Sequence, residues 1–235
     1  MQNLEVCLSP ELIHLFDLKG KIVVVVDILR ATTCMTTGIA HGIDQIKPVA
    51  TLEECSALKN EGFFTAAERN GEKVEGFDIG NSPYSYMEEQ FKGKKIATTT
   101  TNGTIAITKS TEADEVVIGS FLNLTTVSNY IINQNKDVII HCAGWKGNYS
   151  LEDTLFAGAL FEAVQSKFNC GNDSAHTALT IYKAAKNNLL TTVLESSHAK
   201  RLEKHNIQKD IEFCVKIDEY NVLPVLKNSV LVNKR

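Results

Sequence analysis

The chain has 235 residues, 43% of them hydrophobic and 22% charged, the balance of an ordinary globular protein. Its 24 Lys and Arg against 28 Asp and Glu leave a formal charge of −4. Arginine is scarce (Arg30, Arg69, Arg201 and Arg235), which excludes a basic surface built for nucleic-acid phosphates.

The longest aliphatic run near the start, Ile22 to Val26, is far short of the roughly 20 residues of a membrane span. Glu5, Glu11, His14 and Asp17 stand where a secretory signal would carry a basic segment and then an apolar one, so no signal peptide is expected. The six Cys, at 7, 34, 55, 142, 170 and 214, form no CxxC pair. That spacing argues against structural zinc and for free thiols in a reducing cytoplasm.

In chain order, residues 21–26 are a continuous β-branched run, the pattern of a strand buried on both faces. A helix is predicted over 30–40, stopping near Gly42. Thr51 and Glu54 form a capping-box pair opening a second helix. Residues 68–83 read as a long ordered loop punctuated by Gly71, Gly76 and Gly80, with Ser82-Pro83 as a further helix start. Strands are predicted over 95–99, 115–119 and 137–142, and helices over 123–133, 151–168, 173–187 and 192–205. Residues 211–215 read as a late strand. Strands separated by helices predict a layered α/β sheet, and no linker divides 1–235, so a single domain is expected.

In open α/β sheets ligands bind beyond the carboxyl ends of the strands. Three polar clusters follow predicted strands: Asp27 with Arg30; Thr98 to Thr101 with Asn102, Gly103 and Thr104; and His141 with Gly144, Trp145, Lys146, Gly147, Ser150, Glu152 and Asp153. Asp27 suits a metal ligand, a nucleophile, or a capping carboxylate paired with Arg30. Leu29 stands where an aspartyl-phosphate site of the haloacid-dehalogenase type carries a second Asp. The segment from Thr98 to Thr104 reads either as an anion cradle or as a Thr-rich strand with a tight turn. Arg69 offers a bidentate fork for an oxyanion, or a surface pair with Glu68. Ser150 and Asp153 match a capping box, which leaves Glu152 unexplained; Glu152 and Asp153 together could hold a divalent cation. His198 is expected on a helix surface, and Cys142 in the core.

The segments VVDILRATT (25–33), Glu68-Arg69 with GFDIGNSP (76–83), TTTNGT (99–104), GSFLN (119–123), CAG (142–144) with SLED (150–153), and Ala157-Gly158 together resemble the 2-phosphosulfolactate phosphatase family. A weaker match runs from Ser197-His198 through Arg201-Leu202 to Pro224. The resemblance implies a three-layer α/β/α sandwich with a central mixed sheet. It also implies magnesium-dependent hydrolysis of 2-phospho-3-sulfolactate to 3-sulfolactate and phosphate, in coenzyme M synthesis, by a cytoplasmic homodimer. On this reading Asp27, Glu68, Glu152 and Asp153 hold Mg2+. Arg30 and Arg69, with Asn81, Ser82, Thr100, Thr101, Asn102 and Gly103, hold the oxygens of a small anionic phosphorylated substrate. Ile105 stands where the family pattern commonly has Arg, and Ala67 where it has Gly, which bears on the exact anion. The alternatives are another small 2-phospho-hydroxy acid as substrate, or a phosphometabolite-binding protein without catalysis.

Overall fold

The computed structural model describes residues 1–202 and 207–234. The run predicted at 21–26 is strand β2 (Ile22–Val26). Every residue of it is buried because Ile22, Val24 and Val26 join one core cluster while Val23 and Val25 join the other. Period-two alternation of uniformly apolar residues fills both sides of the sheet at once. β2 pairs in parallel with β7 (Glu115–Gly119) and β8 (Val138–Cys142), and β8 in turn with β1 (Gln2–Cys7), which carries β9 (Phe168–Cys170) at the edge. A second parallel set consists of β3 (Gln45–Pro48), β6 (Lys95–Thr99) and β4 (Phe64–Arg69), with the two-residue β5 (Glu72–Lys73) antiparallel to β4.

The two sets are joined by a C-terminal hairpin, β10 (Pro224–Lys227) and β11 (Val230–Asn233), inserted between β7 and β3. Asn228 and Ser229 both have positive φ, as a two-residue hairpin turn of the right twist requires. Among the described residues the result is one mixed sheet of 11 strands, in the order β5-β4-β6-β3-β11-β10-β7-β2-β8-β1-β9.

Helices α1 (Ala31–Ala40) and α3 (Gly103–Lys109) cover one face with the cluster containing Met35, Ile39 and Ile107. Helices α4 (Leu124–Asn133), α5 (Leu151–Val164) and α6 (Asp173–Ala185) cover the other with the cluster containing Val127, Phe156 and Tyr182. This is a three-layer α/β/α arrangement. The capping box at Thr51 opens α2 (Leu52–Ala57): the Glu54 N–H donates to Thr51 Oγ1 and the Thr51 N–H to Glu54 Oε2, each at 3.1 Å.

Several expectations are corrected. Residues 211–215 are not a strand. They lie mostly in α9 (Gln208–Cys214), where Ile211 and Cys214, three apart, bury one helical stripe and Glu212 stays exposed. The helix predicted over 151–168 ends at Val164, and Phe168 enters β9. Ser82-Pro83 opens only a 3-10 turn, Pro83–Met87. The segment predicted over 192–205 is divided into α7 (Leu189–Leu194) and α8 (Ser197–Leu202), and 203–205 lie outside the described residues. Glu68 and Arg69, predicted in a loop, end strand β4.

Candidate active site

Asp27 follows β2 directly and is held from several sides. Its backbone N–H donates to Thr32 Oγ1 at 2.9 Å, and the Thr32 hydroxyl donates back to the Asp27 carbonyl at 2.9 Å. The Ala31 N–H donates to its carboxylate at 3.2 Å. Gly103 lies so close that a Cβ there would stand 2.8 Å from Asp27 Oδ2 and 2.5 Å from the Ala31 Cβ. The turn at the end of β6 therefore approaches the turn at the end of β2 only because residue 103 has no side chain.

Arg30 does not pair with Asp27. Its buried guanidinium forms an ion pair with Asp210 of α9 and donates to the Gly71 carbonyl at 3.1 Å; the Leu29–Arg30 peptide is cis. The Ser82 hydroxyl donates to the other Asp210 oxygen at 3.1 Å. Glu68 receives the Gly71 N–H on one oxygen, and the Thr101 N–H and hydroxyl on the other, at 3.4 and 3.3 Å. Consecutive strand residues point to opposite faces. Arg69 accordingly turns away from Glu68's partners, donating to the Glu68 carbonyl at 2.7 Å and to Thr99 Oγ1 at 3.1 Å.

The hydroxyls of the Thr-rich segment serve mostly its own architecture. The Thr100 and Thr104 backbone N–H groups each donate to the other's hydroxyl, at 3.3 and 3.2 Å, and close the turn into α3. The capping box expected at Ser150 is not formed by side chains. Asp153 instead reaches across the chain: its two carboxylate oxygens accept the Ile28 N–H at 2.9 Å and the Gly144 N–H at 3.0 Å, tying the β2 and β8 turns together. Glu152, 1% exposed, accepts or shares a proton with His198 Nδ1 at 2.6 Å, while its second oxygen is buried without a partner among the described residues.

These segments enclose a cavity of about 260 Å³. That is small beside the roughly 300–1,000 Å³ of drug-sized ligand sites. Asp27, Arg30, Glu68, Asn81, Thr101 and Asn102, all candidate site residues from the sequence, line it. Arg69, Ser82, Thr100, Gly103, Glu152 and Asp153 are not among its lining residues; Glu152 bonds His198 and Gly103 abuts Asp27, both of which line it, while Ser82, Thr100 and Asp153 bond residues behind the wall. Ile105 is 38% exposed on α3 and does not itself line the cavity. His141 is a neutral core residue: burial pushes its imidazole down to about 3, and Ser110 shares a hydrogen bond with its Nδ1 at 2.8 Å.

Sequence reasoning placed His198 on a helix surface and gave no site role to Arg201, Asp210 or Asn70, although the weaker C-terminal match runs through the first three of these four residues. His198 and Arg201 lie three apart on α8, on one helical face, and both line the cavity. That spacing, together with the scarcity of arginine, was the available signal. Lys146 also lines it, its backbone N–H donating to Asn102 Oδ1 at 2.9 Å and its ammonium to Asn70 Oδ1 at 3.3 Å.

The electrostatics show an excess of negative charge at the strand ends. Burial pushes the Asp27 carboxyl from 3.8 up to about 6; His198 and the Ala31 N–H pull the other way, while the charges of Glu68 and Glu152 add to the rise. Burial, then the charges of Glu152 and Asp27, also raise Asp153. Burial acts upward on Glu152 as well, but the hydrogen bond and charge of His198 outweigh it and hold that carboxyl below its ordinary range.

Among the described residues no three His, Cys, Asp or Glu side chains are gathered into a ready-made metal cage. Magnesium does not need one, since it is typically held by one or two carboxylates with waters and substrate phosphate oxygens. The unpartnered Glu152 oxygen and the Asp27 carboxyl, mutually repelling and buried, fit such a cation.

A sequence profile of the 2-phosphosulpholactate phosphatases matches residues 7–229. A protein of Caldanaerobacter subterraneus subsp. tengcongensis named "probable 2-phosphosulfolactate phosphatase" is 43% identical over 220 residues, 92% of this chain and 91% of its own. Proteins of the same name from Thermotoga maritima (41% over 211 residues, 90% and 91% of the chains) and Clostridium acetobutylicum (36% over 235, 98% and 100%) align similarly. The motifs that build the cavity and the matches that span the chain agree: this protein belongs to the 2-phosphosulfolactate phosphatase family.

Proposed function

We propose that the chain is a phosphatase that hydrolyses 2-phospho-3-sulfolactate to 3-sulfolactate and inorganic phosphate, with magnesium as its cofactor. The observation that carries this reading is the small cavity where acidic residues from the β2 and β4 ends face fixed cations and a histidine. A phosphomonoester dianion repels an incoming nucleophile, so its site must supply positive charge and a positioned water.

Asp27 and Glu152 would hold the metal, which when bound polarises the phosphoryl oxygens and offsets their charge. Glu68 and Asp153 have their oxygens engaged by the Gly71, Thr101, Ile28 and Gly144 donors, and serve chiefly to fix the walls. Arg30, oriented by Asp210 and Gly71, faces the phosphoryl group from the cavity wall, and Asn81, Thr101 and Asn102 supply polar contacts. Water attacks phosphorus and the bond from phosphorus to the C2 oxygen breaks. His198, oriented through Nδ1 by Glu152, gives the departing alkoxide a proton from Nε2. The water leaves its hydroxyl on phosphorus, and its remaining proton restores the donor.

Coenzyme M synthesis, a cytoplasmic setting and a homodimer complete this reading on the strength of the family resemblance; no described helix is long and apolar enough to cross a membrane. Phosphate release from 2-phospho-3-sulfolactate, with magnesium or with EDTA, tests it. Release is expected only with the metal, and Asp27→Asn should lose at least about 100-fold, the scale of one electrostatic group in a transition state. Full activity in EDTA would remove the metal, and full activity of Asp27→Asn would remove that residue from the centre.

A further inference from the structure

Trp145, Lys146 and Arg201 line the cavity but have no part in the phosphoryl chemistry above. The chain folds back tightly here, with Trp145 and Asn148 exchanging backbone hydrogen bonds at 3.0 Å across Lys146 and Gly147, both at positive φ. This turn presents the indole to α8. The Arg201 guanidinium carbon lies 3.9 Å from the Trp145 ring centroid, and Lys146 Nζ lies 4.8 Å from the same centroid.

Two positive charges thus share one aromatic platform. Among the described residues neither has a carboxylate partner, whereas Arg30 is engaged by Asp210. Arg201 Nε is buried with no acceptor among the described residues. A buried donor without an acceptor is unfavourable, and an anion bound beside it would satisfy it. The same anion relieves the repulsion between the two cations.

We propose that Arg201 and Lys146, held on Trp145, bind the non-reacting sulfonate of the substrate and set the preference for 2-phospho acids that carry a second strong anion. This rests on the phosphatase reading above. A sulfonate is ionised at any physiological pH and presents three oxygens that undergo no chemistry. A guanidinium stacked on an aromatic face is weakly hydrated and offers a rigid fork of donors to such a group. Binding energy from this remote end can be expressed at the reacting phosphorus, so its loss lowers kcat as well as raising KM.

The test compares wild type, Arg201→Gln, Arg201→Lys and Lys146→Gln on 2-phospho-3-sulfolactate and on 2-phospholactate, which has hydrogen in place of the sulfonate. For Arg201→Gln the ratio of kcat/KM between the two substrates should fall by on the order of 10- to 100-fold, the scale of a charge-assisted hydrogen bond. Arg201→Lys should recover part of it. Lys146 is exposed, so Lys146→Gln should fold normally and lower the ratio by a smaller factor. Equal losses on both substrates, or an unchanged ratio in Arg201→Gln and Lys146→Gln, would overturn the assignment.

Calorimetric titration with 3-sulfolactate separates this from the phosphatase reading. If wild type binds 3-sulfolactate and Arg201→Gln binds it at least about 10-fold more weakly, the subsite stands even if 2-phospho-3-sulfolactate is not hydrolysed. Equal affinity in the two proteins, or no binding to wild type, would overturn the subsite.

Discussion

The Asp27 carboxyl is raised from 3.8 to about 6, chiefly by burial, with the charges of Glu68 and Glu152 adding to it. Its folded value lies above its unfolded one, so the unfolded chain releases the proton first as pH rises. Stability fully present below about pH 4 is therefore lost as pH passes through 6, by up to about 3 kcal/mol in the metal-free protein. Asp27→Asn removes that loss. Urea unfolding at pH 7 without metal should show the variant more stable by up to this amount, while its activity is lost; no gain would mean that the charge is already compensated. His198 yields a second prediction. His198→Gln should lower turnover of an alkyl phosphate by about 10²-fold or more, the scale of general acid catalysis, yet lower turnover of p-nitrophenyl phosphate much less, because that leaving group needs no proton. Equal losses would contradict the proton-donor role. Residues directly after strands, such as Asp27, Thr101 and Asn102, were legible because strand ends can be read from local pattern. The pairing of His198 with Glu152 and of Asp210 with Arg30 was not, since these partners lie 46 and 180 residues apart and no local spacing announces such pairs.

At the scale of elements, the site depends on two turns, one after β2 and one after β6, meeting at Gly103. Gly103→Ala would drive a methyl group into Asp27 and Ala31. The expected result is destabilisation of about 1–3 kcal/mol by overpacking, together with a loss of activity larger than that destabilisation explains, because Asp27 itself must move. Thermal unfolding and turnover measured on the same sample check this; wild-type activity in Gly103→Ala would show that the carboxylate tolerates displacement. The NGT motif was legible as a turn before a helix. Its close approach to another strand end was not, because glycine's spatial neighbour is invisible to a local reading. The same limit explains the Asp153 side chain. The SLED pattern predicts a local cap, but two backbone N–H groups from elsewhere in the fold bind the carboxylate instead. Long-range partners also decide residues 211–215, where the burial of Ile211 and Cys214 in one helical stripe overrides the β-leaning composition of IEFCV.

The whole sheet contains a topological device that element-by-element reading could not supply. Three antiparallel steps through the C-terminal hairpin separate β3 from β7, so the two parallel sets run in opposite senses along the sheet order. Their carboxyl ends nevertheless meet, as the Gly103–Asp27 approach and the Lys146–Asn102 bond require. Sheet twist accounts for much of this: at roughly 20–25° per strand, the five steps from β6 to β2 turn one set well over toward the other. The last 12 described residues, β10, β11 and their flanks, thus join the two strand sets whose ends form the site. Alternation of strands and helices revealed the layers, while the hairpin's insertion depends on register between distant segments. The most direct measurement is kcat/KM of the purified chain, with magnesium, across a panel of 2-phospho acids that includes 2-phospho-3-sulfolactate. The prediction is phosphate release with 2-phospho-3-sulfolactate as the preferred substrate. No release from it, or a clear preference for an acid without the sulfonate, would contradict the assignment.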